Sequence, residues 1–154
     1  MRHVFEYRRF YQLAEAVLVA VPWMWLGIAI GISLIETPIR FRTPPITRAG
    51  AAMLGVAIFH ALASVELVLV VISMLAAVIV RYRLLVALVA LVAVIIAAEH
   101  AIVVPLLATR AQLLVDGATL PPSSVHGWAT ALEATKMLLL SVIGVRALHL
   151  RSRR

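Results

Sequence analysis

The residues of this sequence that could do chemistry are a few ionisable side chains that lie inside long apolar runs. They are Glu36, His60, Glu66, Glu99, His100, His126, Glu133 and Lys136. Ionisable groups within membrane helices are costly, and they usually face a bundle interior where they pair or bind ions. Four of them fall at one predicted depth, roughly 10–15 Å from the outer helix ends at 1.5 Å per residue. These four are His60, Glu99, His100 and Glu133.

This combination of side chains predicts a transition-metal site. Carboxylates and imidazoles that converge from several helices can hold iron, zinc, manganese or copper. We therefore expect the four residues of equal depth to be the metal ligands. Glu36 and His126 would lie at the mouth of the site, and Glu66 would pair with Lys136 at a deeper level.

Two other cofactor assignments have less support from the spacing. The Glu-x-x-His pattern typical of di-iron bundles is absent, because His100 directly follows Glu99. A haem with His60 and His100 as axial ligands rests on two histidines alone. No catalytic residue can be assigned, because the sequence contains no phosphate-binding loop, no H-E-x-x-H and no G-x-S-x-G.

Two alternatives to metal binding give the same charges other roles. In the first, Lys136 pairs with a buried acid for packing, and the chain is an accessory subunit of a larger membrane complex. In the second, Glu133, Glu99 and Glu66 relay protons or ions in an oligomer. A homodimer is one candidate assembly, since Gly27 and Gly31 form a GxxxG step. We interpret that step first as packing within the bundle and second as a dimer contact.

Composition identifies the solvent of this chain as lipid. The 154 residues are 64% hydrophobic and 14% charged, whereas soluble domains are nearer 45–50% and about 25%. The net charge of +7 comes from basic residues that flank the apolar runs, which suits lipid headgroups and argues against a nucleic-acid partner. Cysteine is absent, which excludes disulfides and thiolate metal sites.

Four apolar runs predict an all-α, polytopic membrane protein that is a four-transmembrane-helix bundle. The predicted helices cover about 13–35, 50–80, 84–107 and 126–148, in one domain over 1–154. Thr37-Pro38 and Thr43-Pro44-Pro45 are expected to end the first helix. Nine basic residues flank the helices on the side of the termini and four on the opposite side. That difference predicts that both termini are cytoplasmic.

Several short motifs resemble bacterial four-helix inner-membrane proteins that are distantly similar to the transmembrane protein 205-like domain. The motifs are Trp25-Leu26-Gly27, Glu36-Thr37-Pro38-Ile39-Arg40-Phe41, Phe59, Glu66, Pro105, Arg110, Pro121-Pro122-Ser123-Ser124, His126, Glu133 and Lys136. The resemblance implies a four-helix fold in the bacterial inner membrane. It implies no activity and no catalytic residue.

Overall fold

The computed structural model describes residues 2–121 and 123–153, apart from the side chains of residues 2–5 and 7. Within that part of the chain the fold is all-helical, with no strand. The first helix covers residues 2–42, as an α-helix at Arg2–Ile30, a π-helix at Gly31–Glu36 and an α-helix at Thr37–Arg42. The second helix is Arg48–Val80. The third covers residues 83–115, as Arg83–Ala98, a π-helix at Glu99–Val103 and Val104–Val115. The fourth is Val125–Ser152.

The predicted ends of the first and third helices are too early. The first helix continues through Pro38 to Arg42, and the third continues beyond residue 107 to Val115. Proline lacks an N–H and its ring clashes with the carbonyl four residues earlier, so it normally ends or kinks a helix. Here a π-helix ends one residue short of Pro38 and another ends one residue short of Pro105. The N–H of Thr37 donates to the carbonyl of Ile32, and the N–H of Val104 donates to that of Glu99. These wider turns carry the helix past Pro38 and Pro105.

The four helices form a ring in which each packs against two neighbours. The first helix packs on the second and the fourth, and the third packs on the same two. Side chains from all four helices fill the centre, among them Leu18, Ala77, Leu85 and Leu140, each almost fully buried. A site at the ring's axis can therefore take side chains from every helix.

The distribution of polarity is inverted relative to a soluble protein. Buried positions include Glu66, Glu99, Glu133 and Lys136, while large apolar side chains such as Leu138 are exposed, in that case by 67%. Among the described residues, three helices are long and apolar enough to cross a membrane, over Arg8–Arg42, Arg48–Val80 and Arg83–Val115. The fourth long helix is not one of these three. The finding supports a helical membrane protein, and the count of four spans remains a prediction.

The interpretation of Gly27 and Gly31 as packing residues within the bundle is wrong. A Cβ placed on either glycine meets nothing within 4 Å in the described structure. A close approach occurs instead at Gly144, where an added Cβ would lie 2.8 Å from the indole ring of Trp23. This is where the small residue lets the first and fourth helices pack closely.

Candidate functional site

Lys136 lies at the centre of the bundle with a carboxylate from three different positions around it. Its Nζ atom is 2.7 Å from Glu66 Oε1, 2.8 Å from Glu133 Oε2 and 2.9 Å from Glu99 Oε2. These four residues, which we call the charge cluster, come from the second, third and fourth helices. The Lys136 side chain is 1% exposed, so the cluster is enclosed by protein.

The charge cluster carries more acid than base. Three ionised carboxylates and one ammonium give a formal charge of −2, and an uncompensated buried charge is strongly unfavourable. The Lys136 ammonium neutralises one carboxylate. The remainder must be balanced by bound protons or by another cation, which makes the cluster more than an ordinary ion pair.

The first helix contributes Trp25 to the cluster. Its indole Nε1 donates a hydrogen bond of 3.0 Å to Glu66 Oε1, the same oxygen that contacts Lys136. Sequence reasoning missed this residue. The available signal was that Trp25 lies in the middle of an apolar run, whereas tryptophan usually lies at the membrane interface. A buried indole N–H needs an acceptor, and the bundle provides one.

The π-helix of the third helix begins at Glu99 and shapes the presentation of two adjacent ionisable residues. Consecutive residues on an α-helix point about 100° apart, given 3.6 residues per turn, so Glu99 and His100 would not both face the axis. The wider π turn reduces that angle. Glu99 reaches Lys136, and both Glu99 and His100 line the same cavity. A π segment at such a position is frequent at functional sites.

A cavity of about 180 Å³, which we call the inner cavity, opens beside the charge cluster. Its polar lining includes all four cluster residues together with Ser33, Thr37, His100 and His126, and Phe59, Leu62 and Met137 form part of its apolar wall. Among the described side chains, three buried polar atoms on this lining have no hydrogen-bond partner. They are Ser33 Oγ, His100 Nε2 and Glu133 Oε1. Since buried polar atoms are normally satisfied by protein, ordered water or a ligand, these three are the lining atoms that a bound species would contact.

A second cavity of about 930 Å³, the outer cavity, lies toward the loops at residues 42–48 and 115–125. It shares Thr37, Phe59, Leu107 and His126 with the inner cavity, so the two are neighbours. Its cationic lining consists of Arg40, Arg48 and Arg110. The charged side chains that line the outer cavity, near the loops, are therefore basic, and those that line the inner cavity, near the centre of the bundle, are mainly acidic.

The structure brings three of the four predicted metal ligands to one place and leaves one outside. Glu99, His100 and Glu133 line the inner cavity. His60 is exposed and, within the described chain, lines neither cavity. Glu99 and Glu133 also spend one oxygen each on Lys136. Accordingly, no group of three or more His, Cys, Asp or Glu among the described residues could hold a metal ion.

The predicted supporting residues divide in the same way. Glu66 does pair with Lys136, but at the level of Glu99 rather than below it. Glu99 is 16 residues from both ends of its helix, about 24 Å, because that helix extends past Pro105. His126 lines both cavities and so marks their boundary. Glu36 instead lies beside the Arg40 guanidinium, 3.3 Å away, and in the described structure lines neither cavity.

This arrangement can bind a cation or hold exchangeable protons. The carboxylates supply negative charge in excess, and the imidazole, hydroxyl and carboxylate atoms that face the inner cavity can each accept a hydrogen bond or donate a lone pair. The Lys136 ammonium occupies the point between the three carboxylates, so a second cation would lie in the cavity and not at that point. Comparison of the chain with protein-family models, with curated proteins and with solved structures gives no match.

Proposed function

We propose that this chain is a four-span bacterial inner-membrane protein that binds a cation in its inner cavity, with a divalent first-row transition metal as the favoured ion. The observation that carries the proposal is the pair of unsatisfied atoms His100 Nε2 and Glu133 Oε1 on the lining of a cavity beside a cluster of formal charge −2. A divalent ion would bring that charge to zero.

The donor types favour a transition metal over an alkali or alkaline-earth ion. Imidazole nitrogen together with carboxylate oxygen suits iron, zinc, manganese or copper, whereas calcium and magnesium prefer oxygen donors throughout. Ser33 Oγ and water would complete the coordination, since two protein ligands leave open positions. The proposed ligand set is therefore smaller than the sequence predicts: His60 leaves it, and Glu99 becomes a neighbour that supplies charge.

The position of the two cavities favours exchange of the bound ion with the side of the membrane opposite the chain termini. The inner cavity neighbours the outer cavity, which lies near the two loops that the nine-to-four distribution of basic residues assigns to the outer face. Exposed apolar side chains along the fourth helix, such as Leu138, Val145 and Leu148, favour lipid contact for that helix as well. This supports four spans with both termini in the cytoplasm.

The direct test is metal binding by the full chain, purified in detergent, stripped with a chelator and titrated with Zn²⁺, Mn²⁺ or Co²⁺. We expect one ion per chain, with affinity lowered at least about tenfold by His100→Ala and by Glu133→Gln. His60→Ala is the matched control, because His60 is an imidazole of the same bundle outside both cavities. Equal losses in His60→Ala and His100→Ala would overturn the proposal.

A second candidate is that the cluster braces the bundle of an accessory subunit, and the contact of all three carboxylates with Lys136 favours it. In that case the folded, chelator-stripped chain binds no metal, and it copurifies with a partner after mild solubilisation. The two candidates therefore give opposite results in the same titration.

A further inference from the structure

The outer cavity contains a buried arginine that the charge cluster does not use. The Arg40 side chain is 4% exposed and lines this cavity. Within the described structure, its Nε and Nη1 atoms have no hydrogen-bond partner. Glu36 Oε1 lies 3.3 Å from Nη1 and supplies charge, although it does not form a hydrogen bond there. A buried guanidinium with two unsatisfied nitrogens is expensive, so a missing acceptor is indicated.

The second helix makes room for this guanidinium. A Cβ added at Gly55 would lie 2.8 Å from Arg40 Nη2 and 3.1 Å from its Cζ. The absence of a side chain at Gly55 therefore lets the guanidinium pack directly against that helix. Arg40 also lies over the ring of Phe41, 5.3 Å from its centroid, which further fixes its position. The Arg40 guanidinium is therefore held in place by the fold and is not a solvated surface charge.

Apart from Glu36, the charged side chains near Arg40 in this cavity are positive. Arg48 and Arg110 line the same cavity, and within the described residues none of its lining side chains is acidic. Arg110 donates to the carbonyl of Pro121 at 2.7 Å, which holds it in the wall. The second and fourth helices begin at this end of the bundle and the first and third helices end there, so the helix dipoles largely cancel and the arginines set the field. The site is complementary to an anion with several acceptor oxygens.

We infer that the outer cavity binds a phosphate group through Arg40, with Arg48 and Arg110 contributing charge. Phosphate fits because its oxygens can accept from several guanidinium nitrogens at once. Its position at the loop ends of the helices places it where lipid headgroups lie, and the same chemistry would bind phosphate free in solution. This inference does not depend on cation binding in the inner cavity.

The test uses the full chain in a phosphate-free maltoside detergent, with two probes in separate arms. Inorganic phosphate is titrated in one arm, and a short-chain phosphatidylglycerol is titrated in the other. We expect Arg40→Gln to weaken binding at least about tenfold, as expected for loss of charge-assisted hydrogen bonds. Arg42→Gln is the matched control, because it removes the same charge from an exposed residue that lines neither cavity in the described structure.

A second pair of variants tests the position of the guanidinium while keeping its charge. Gly55→Ala should displace Arg40 and weaken phosphate binding, whereas Gly27→Ala, whose Cβ would meet nothing within 4 Å of the described chain, should not. Binding in one arm alone supports the inference and identifies the source of the phosphate. The inference is overturned if the folded wild-type chain binds neither probe. Equal weakening by Arg40→Gln and Arg42→Gln would also overturn it. Unchanged phosphate binding in Glu133→Gln would separate this result from the cation proposal.

Discussion

Replacing Lys136 with methionine should destabilise this protein more than any single replacement of its carboxylate partners. The substitution keeps the length of the side chain and removes its charge. Lys136 Nζ has carboxylate oxygens at 2.7, 2.8 and 2.9 Å, and the side chain is almost fully buried. Without the ammonium, the formal charge of the cluster changes from −2 to −3. Lys136→Met therefore removes all three attractions and leaves the carboxylates to repel one another.

The expected magnitude follows from these contacts. Breaking one buried pair by removing a partner costs about 3–5 kcal/mol, so we expect a loss near the upper end, about 5 kcal/mol. Glu133→Gln loses one charged hydrogen bond to Lys136, which costs about 1.5–3 kcal/mol, but it reduces the formal charge of the cluster from −2 to −1. Because the smaller charge offsets part of that cost, we expect the free energy of unfolding to fall by about 1–2 kcal/mol.

The double variant Lys136→Met/Glu133→Gln gives the clearest test, because the effect of Glu133→Gln on the free energy of unfolding should change sign. Glu133→Gln should lower the free energy of unfolding in the wild-type chain but raise it in the Lys136→Met chain, because there it removes one of three mutually repelling carboxylates. The assay is the free energy of unfolding from sodium dodecyl sulfate titration of the chain in bicelles, monitored by circular dichroism. Leu138→Met on the exposed face of the same helix serves as a control and should change little.

The double variant also shows whether the cluster carries excess negative charge. If Glu133→Gln destabilises both backgrounds equally, or costs as much as Lys136→Met in the wild-type chain, the cluster has no excess negative charge to relieve. The cluster would then need no further cation, and the main electrostatic support for the proposed function would be lost.

Three further predictions address single contacts and topology. Trp25→Phe should lower the free energy of unfolding by about 1.5–3 kcal/mol, because it leaves Glu66 without its indole donor, while Trp128→Phe on an exposed ring should change it by less than about 0.5 kcal/mol in the same titration. Gly144→Ala should cost about 1–3 kcal/mol through its clash with Trp23, and a wild-type melting profile would show that the indole simply moves aside. Reporter fusions at both termini should be active in the cytoplasm, and activity confined to the periplasm would reverse the proposed orientation.

Composition and charge placement were sufficient to predict the type of fold. Long apolar runs predicted helices in lipid, and the described residues confirm an all-helical fold in which three helices are long and apolar enough to span a membrane. The pairing of Lys136 with an acid was also foreseeable, because a lone ammonium in a membrane needs a partner. These features depend on residue type and on approximate depth in the membrane, and both follow from the position of a residue along the chain.

The ends of the helices near Pro38 and Pro105 could not be predicted in this way. Pro38 was expected to end the first helix, and the third helix was expected to end at about residue 107. Instead a π segment lies just before Pro38 and before Pro105, and both helices continue. The error propagated to the site. With the third helix predicted to end at residue 107, Glu99 was placed close to the outer end of the bundle and at a different depth from Glu66. In the structure both carboxylates contact the Nζ atom of Lys136. Backbone hydrogen-bond shifts of this kind leave no simple compositional signal.

Residue type and position along the chain indicate which ionisable groups lie within lipid and how their charges sum, whereas the packing of the four helices selects which of these groups come into contact. His60 and Glu66 are six residues apart and differ by about 120° around a helix, so only one of them can face the axis squarely. Packing selected Glu66, together with Trp25 from the first helix, and turned His60 outward. The rotation of a helix about its own axis is set by contacts with its neighbours, and those contacts exist only once the bundle has formed.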